Sequence, residues 1–120
     1  MHIKHITFRV KDLDQSIAFY TAMTGLKMAR RFSAGNAELA FLTNGEGETE
    51  LELLHIPGGQ TFSGTGMFIC FETDKLETMH ELAVARGLKP SPVQFPDDGT
   101  RYFYVYDPDG VSVQLRYFPD

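Results

Sequence analysis

Gly-Leu-Lys occurs twice in this chain of 120 residues, at 25–27 and at 87–89. The spacing of 62 residues is not confined to that tripeptide. At the same offset Asp12 meets Asp74, Phe41 meets Phe103, Leu53 meets Leu115 and Pro57 meets Pro119, which makes seven identities in all. Chance agreement at about one position in twenty yields roughly three over such a span. The matches fall where a helix would begin, where it would end, and inside strands. They favour a duplicated βαβββ unit. Half of a chain this long buries too little surface to be stable alone. The two sheets are therefore expected to join into one open, barrel-like concave surface with one helix per unit outside, an α+β architecture. The expected modules are residues 1–57 and 66–120, a single domain in all, with the glycine-rich stretch 57–66 as a flexible linker.

Local patterns support that frame. Residues 2–10 read as a strand in which His5, Thr7 and Arg9 share a polar face. Asp12 and Asp14 suit a helix start, and Leu13, Ile17, Tyr20 and Thr24 form its apolar stripe. Gly25 suits the helix exit. Strands are expected over 26–32, 38–43 and 48–54. In the second half, a strand at 68–73 precedes a helix with Asp74 as cap, Leu76, Met79, His80 and Ala83 as stripe, and Gly87 as exit. Pro90, Pro92 and Pro96 make 90–100 a stiff loop. The chain closes with a hairpin: Tyr102 to Tyr106, the turn Asp107-Pro108-Asp109-Gly110, and a return strand. In that strand Val111, Val113, Leu115 and Tyr117 oppose Ser112, Gln114 and Arg116.

The net charge of −5 argues against nucleic acid or an anionic membrane as partner. No apolar run is long enough to span a bilayer. The one cysteine, Cys70, permits no internal disulfide, so a cytoplasmic setting is expected.

The segments His5-Ile6-Thr7-Phe8-Arg9-Val10 and Lys11-Asp12-Leu13-Asp14-Gln15-Ser16-Ile17-Ala18-Phe19-Tyr20, with the Gly-Leu helix exit and the Asp-Pro-Asp-Gly hairpin, resemble the vicinal oxygen chelate superfamily. This is the glyoxalase, bleomycin-resistance and extradiol-dioxygenase group. The resemblance covers the whole chain, and its register is nearest to lactoylglutathione lyase (glyoxalase I). It implies a metal site at His5, Glu52, Met67 and Gln114, the first and last strands of each unit. In glyoxalase I the last two of these are His and Glu. Here they are a soft thioether, which suits Ni²⁺, Mn²⁺ or Mg²⁺ poorly, and a neutral amide that cannot act as a base. The metal ligands expected are therefore His5, Glu52 and Gln114, for Ni²⁺, Mn²⁺, Zn²⁺ or Mg²⁺.

The same resemblance makes Glu52 the catalytic proton carrier and Arg9 the anchor for a substrate anion. Met67 and Tyr104 are expected to touch substrate. Ile56 stands where the family places an amide-bearing residue for glutathione. The expected function is a metal-dependent lyase or isomerase for a small, vicinally oxygenated substrate. The alternative is a metal-free protein that binds and sequesters a small apolar or aromatic molecule, as in the bleomycin-resistance branch. A third reading is an interaction role alone. Bland readings stand beside the sharp ones: His5 and Glu52 as a polar pair in a cleft, Glu50 and Glu52 as solvated strand residues, Arg9 as their ion-pair partner. The resemblance and the aromatic strands also imply a homodimer.

Overall fold

Asp12 begins the first helix. In the computed structural model, which describes residues 1–120, its carboxylate accepts a hydrogen bond from the Gln15 N–H at 3.0 Å. That satisfies one of the donors a helix start leaves open. Helix α1 (Leu13–Thr24) then runs to Gly25, whose φ of 73° only glycine adopts freely. Its buried residues are Leu13, Ser16, Phe19, Tyr20 and Met23. The stripe is thus rotated from the expected one, since Ile17 and Thr24 are only half-buried. The hydroxyls of Thr21 and Thr24 bond back to the carbonyls of Ile17 and Tyr20. Local bonding of this kind is how threonine competes within a helix.

Two units make up the chain, Met1–Ser63 and Gly64–Asp120. The first holds β1 (His5–Arg9), α1, β2 (Lys27–Ala34), β3 (Ala37–Thr43) and β4 (Glu50–His55). Its sheet has the order β1-β4-β3-β2, with β1 parallel to β4 and the other pairs antiparallel. Phe8, Ala40, Leu42, Leu51 and Leu53 are buried, and α1 packs over β2, β3 and β4. The opposite face carries His5, Thr7 and Arg9 beside Glu50, Glu52 and Leu54.

The second unit holds β5 (Phe68–Glu72), α2 (Leu76–Ala85), β6 (Arg101–Tyr106) and β7 (Ser112–Tyr117), in a sheet of order β5-β7-β6. It is βαββ and not the expected βαβββ. The reason lies after the helix. Lys27 opens β2 in the first unit. Lys89, its counterpart in the Gly-Leu-Lys repeat, has φ +53° and precedes Pro90. A positive φ breaks an extended run, and the prolines remove strand donors. The segment still covers the edge of β6: Ser91 N–H donates to the Tyr104 carbonyl, and Gln94 exchanges backbone bonds with Tyr102.

A second correction concerns the repeat offset. Strand registers pair His5 with Glu50, and Phe68 with Ser112. Since β4 and β7 start 62 residues apart, at Glu50 and Ser112, the strand counterpart of His5 is Phe68, not Met67. The offset is 63 up to the helix starts, Leu13 and Leu76, and returns to 62 by Gly25 and Gly87. One residue is lost within α2. Asp74 therefore falls one position early. The N-cap is Lys75, which makes no side-chain cap bond. At the other end Gly87 N–H reaches the Val84 carbonyl and Leu88 N–H the Ala83 carbonyl, a Schellman closure.

The final turn is built by a buried side chain. One oxygen of Asp107 accepts from the N–H groups of Asp109 and Val111, at 2.8 and 2.9 Å. No helix is long and apolar enough to cross a membrane.

Candidate functional site

Each unit presents its polar chemistry on the sheet face away from its helix, and strand register arranges that face in rows. In the first unit one row runs Thr7, Glu52, Phe41, Arg30 across all four strands. The Thr7 hydroxyl donates to Glu52 Oε1 at 2.5 Å. His5 Nε2 lies 3.6 Å from the same oxygen, and its side chain is 42% exposed where that of Glu52 is 13%. The His5 ring meets the Phe41 ring edge-on at 5.5 Å. Arg30 lies over the Phe41 ring, 4.3 Å from its centroid, and grips both oxygens of Glu50 at 2.9 and 3.0 Å. That bidentate guanidinium holds the Glu50 carboxyl below the usual carboxylate range. So Glu50 is held at both oxygens by Arg30, whereas Glu52 has the Thr7 hydroxyl and the His5 imidazole at one oxygen and feels the Arg30 charge without bonding to it.

Arg9 is on the same face as His5 and Thr7, next to Leu54. It forms no ion pair with Glu50, Glu52 or any other carboxylate.

In the second unit the matching row runs Cys70, Gln114, Tyr104. Gln114 is 3% exposed and its Nε2 donates to the Tyr104 hydroxyl at 3.1 Å. Tyr104 takes the Phe68 ring edge-on at 5.4 Å and the Tyr102 ring at 5.6 Å. The sulfur of Cys70 is partly covered, which pushes its pKa up and makes it a poor nucleophile. Arg116 lies over Tyr102 and donates to the Thr100 hydroxyl at 2.7 Å. A cavity of about 690 Å³ opens in this unit, lined by Met67, Phe68, Lys89, Ser91, Tyr104, Tyr106 and Ser112 with the Gly64–Gly66 backbone. That size suits a small organic ligand.

The expected site residues thus fall into two groups. His5, Glu52 and Arg9 share one sheet face of the first unit. Met67 and Tyr104 line the cavity of the second, and Gln114 supports Tyr104 from beneath. Thr7 and Lys89 had not been expected in a site. Thr7 was signalled by the period-2 pattern that puts it between His5 and Arg9. Lys89 had no such signal, because its repeat counterpart begins a strand.

Donor chemistry can be tested against a divalent ion. An imidazole nitrogen and a carboxylate oxygen suit Ni²⁺, Mn²⁺, Zn²⁺ or Mg²⁺. No group of three or more His, Cys, Asp and Glu side chains is arranged so that it could hold a metal ion, and a resident catalytic ion normally takes three protein ligands. The pair fits an ion held weakly, with further positions filled by oxygens of a ligand.

Residues 2–115 match the sequence profile of the Glyoxalase/Bleomycin resistance protein/Dioxygenase superfamily. The chain belongs to that family. It is 33% identical to the lactoylglutathione lyase of Haemophilus influenzae, over 96% of this chain and 91% of that one. It is 32% identical to the Bacillus subtilis protein YwbC, over 94% of each. Among solved structures, the E144Q mutant of glyoxalase I from Zea mays aligns with a TM-score of 0.86 at 28% identity, over 99% of this chain and 46% of that chain. The chain spans less than half the length of the plant lactoylglutathione lyases it matches.

Proposed function

We propose that this chain is a glyoxalase-type lyase or isomerase acting on a small, vicinally oxygenated molecule. The observation that carries the reading is Glu52, oriented by the Thr7 hydroxyl and set 3.6 Å from His5. A carboxylate with one bonded oxygen retains a second that can take a proton from a carbon beside a carbonyl and return it to the neighbouring carbon. The hydroxyl limits its rotation, so that second oxygen keeps one direction. Arg9, without a carboxylate partner, can orient an anionic or oxygen-rich end of the substrate. His5 and Glu52 would hold a divalent ion, its further positions filled by oxygens of the ligand; when bound, such an ion supplies positive charge beside the substrate oxygens. Met67 and Tyr104 are proposed as ligand contacts within the cavity of the second unit.

The test uses methylglyoxal hemithioacetals of glutathione and of 2-mercaptoethanol as substrates, with Ni²⁺, Mn²⁺, Zn²⁺ or Mg²⁺ added. Turnover should require one of these ions, and Glu52→Gln should lower kcat by roughly 10²–10⁴-fold, the usual weight of a general base. Absence of turnover with every ion, together with an unshifted melting temperature, would dispose of the reading.

A second reading is favoured by the cavity of the second unit. Its walls include the aromatic side chains of Phe68, Tyr104 and Tyr106 and the thioether of Met67, and Gln114 is bonded to Tyr104. That lining suits a metal-free protein of the bleomycin-resistance type that binds a small aromatic molecule. Tyr104→Ala should abolish such binding. Retained affinity would count against it.

A further inference from the structure

We propose that the cavity of the second unit takes a flat aromatic ligand carrying an anionic group, a carboxylate or its equivalent, with Lys89 as the counter-charge. This rests on the ligand-binding reading above and adds the ligand's chemical class.

The walls select the flat body. Met67, Phe68 and Tyr106 are 41%, 50% and 62% exposed, large apolar side chains gathered at one opening. Single exposed apolar residues need no explanation, but a cluster of them does. Phe68 meets Tyr104 edge-on, with the two ring planes at 85°. A third ring placed there gains offset or edge-on contacts with both.

Charge selects the other end of the ligand. Lys89 is the one charged residue of the lining, which holds no Asp or Glu, in a chain of net charge −5. All six ion pairs of the structure involve other residues, so no carboxylate compensates its ammonium. Ser112 adds a hydroxyl to the same wall. An exposed cation in a lining of hydroxyls and rings that contains no Asp or Glu complements an anionic aromatic.

Backbone strain points to the same residue. Lys89 is the only non-glycine residue with positive φ, at 53°, and it precedes proline, which further restricts it. Glycine would occupy this position without penalty. Strained side-chain-bearing residues cluster at ligand clamps, where the side chain is what the conformation serves. Here the strained turn takes the chain out of the strand path its repeat counterpart follows, and the turn residue lines the cavity.

Calorimetric titration with 2-naphthoate and with its methyl ester tests the proposal. Wild-type protein should bind the acid roughly tenfold or more tightly than the ester, the weight of one charge-assisted bond. Lys89→Gln should bring the acid down to the ester and leave the ester unchanged. Lys89→Gly should do the same while raising the melting temperature, which shows that the fold has survived and the strain has gone. Equal affinities for acid and ester in the wild type would overturn the anionic class alone. So would a preference for the acid that persists in Lys89→Gln. If neither probe binds the wild type, the ligand-binding reading falls, and this inference with it.

Discussion

The two units share a plan and differ in what that plan displays. Each has a parallel pair of outer and inner strands, a helix over one face, and an amide or carboxylate at the middle of the inner strand. In the first unit the positions around Glu52 are His5, Thr7 and Arg9. In the second, the register places Phe68, Cys70 and Glu72 around Gln114. The imidazole has become a phenyl ring, the hydroxyl a thiol, and the cation an anion. Both sheets keep their buried faces, because burial is what holds each unit together. The open faces carry no such constraint and have diverged. The proposed proton chemistry draws on the open face of the first unit and the proposed apolar recognition on that of the second, and neither needs a change in a core.

The sharpest test of shared packing is a pair of substitutions. Leu53 and Leu115 occupy equivalent strand positions and are 0% and 1% exposed. Leu53→Ala and Leu115→Ala should each cost about 2–5 kcal/mol in urea unfolding. A cost below about 1 kcal/mol for one of them alone would show that the cores are not equivalent.

Substitution in the central rows separates the roles of the open faces. Gln114→Leu removes a buried bond to Tyr104 and should cost about 1 kcal/mol of stability, with weaker aromatic binding. Thr7→Val is nearly isosteric on a more exposed strand. It should leave unfolding almost unchanged yet lower the proposed turnover by roughly tenfold, through loss of one orienting bond. A Thr7→Val enzyme with unaltered kcat would detach that hydroxyl from the chemistry.

Helix starts offer a smaller contrast. Asp12→Ala should cost about 1 kcal/mol, since it deletes a working cap. Lys75→Asp installs one where none exists and should stabilise by about 0.5 kcal/mol. Thermal unfolding reads both, and a neutral Asp12→Ala would mean that the cap bond contributes nothing.

The smallest effect is acid dependence in the first unit. Arg30 lowers the Glu50 pKa from its ordinary 4.5. A lowered folded value means that the ionised carboxylate stabilises the native state. That contribution is complete above the unfolded pKa and is lost as pH falls through the folded value. Arg30→Met should flatten this part of the stability profile below about pH 4.5. An unchanged profile would show that the pair is fully screened by water.

Much of this was legible in the chain itself. Period-2 patterning placed His5, Thr7 and Arg9 on one face and separated Val113 and Leu115 from Gln114. Asp12, Gly25 and the Asp107 turn announced themselves through the backbone groups they satisfy, all within a few residues. Short-range chemistry of that kind is written in adjacent letters. A uniform offset of 62 does not hold between the repeats, because one residue is lost inside α2, where the helical stripe hides a deletion that strand pairing exposes at once. That single residue moved Asp74 off the cap and put Phe68 in the place of His5. The doubled βαβββ plan likewise implies a fourth strand in the second unit, and the turn at Lys89 with the prolines after it leaves none.

Composition and local pattern alone settled the element types, the doubled plan and the two faces of each strand, because these depend on side-chain size, polarity and neighbours in sequence. Which residue stands beside which across a sheet was decided only in the folded chain. Parallel partners such as Thr7 and Glu52 are 45 residues apart, and their register answers to the packing of everything between them.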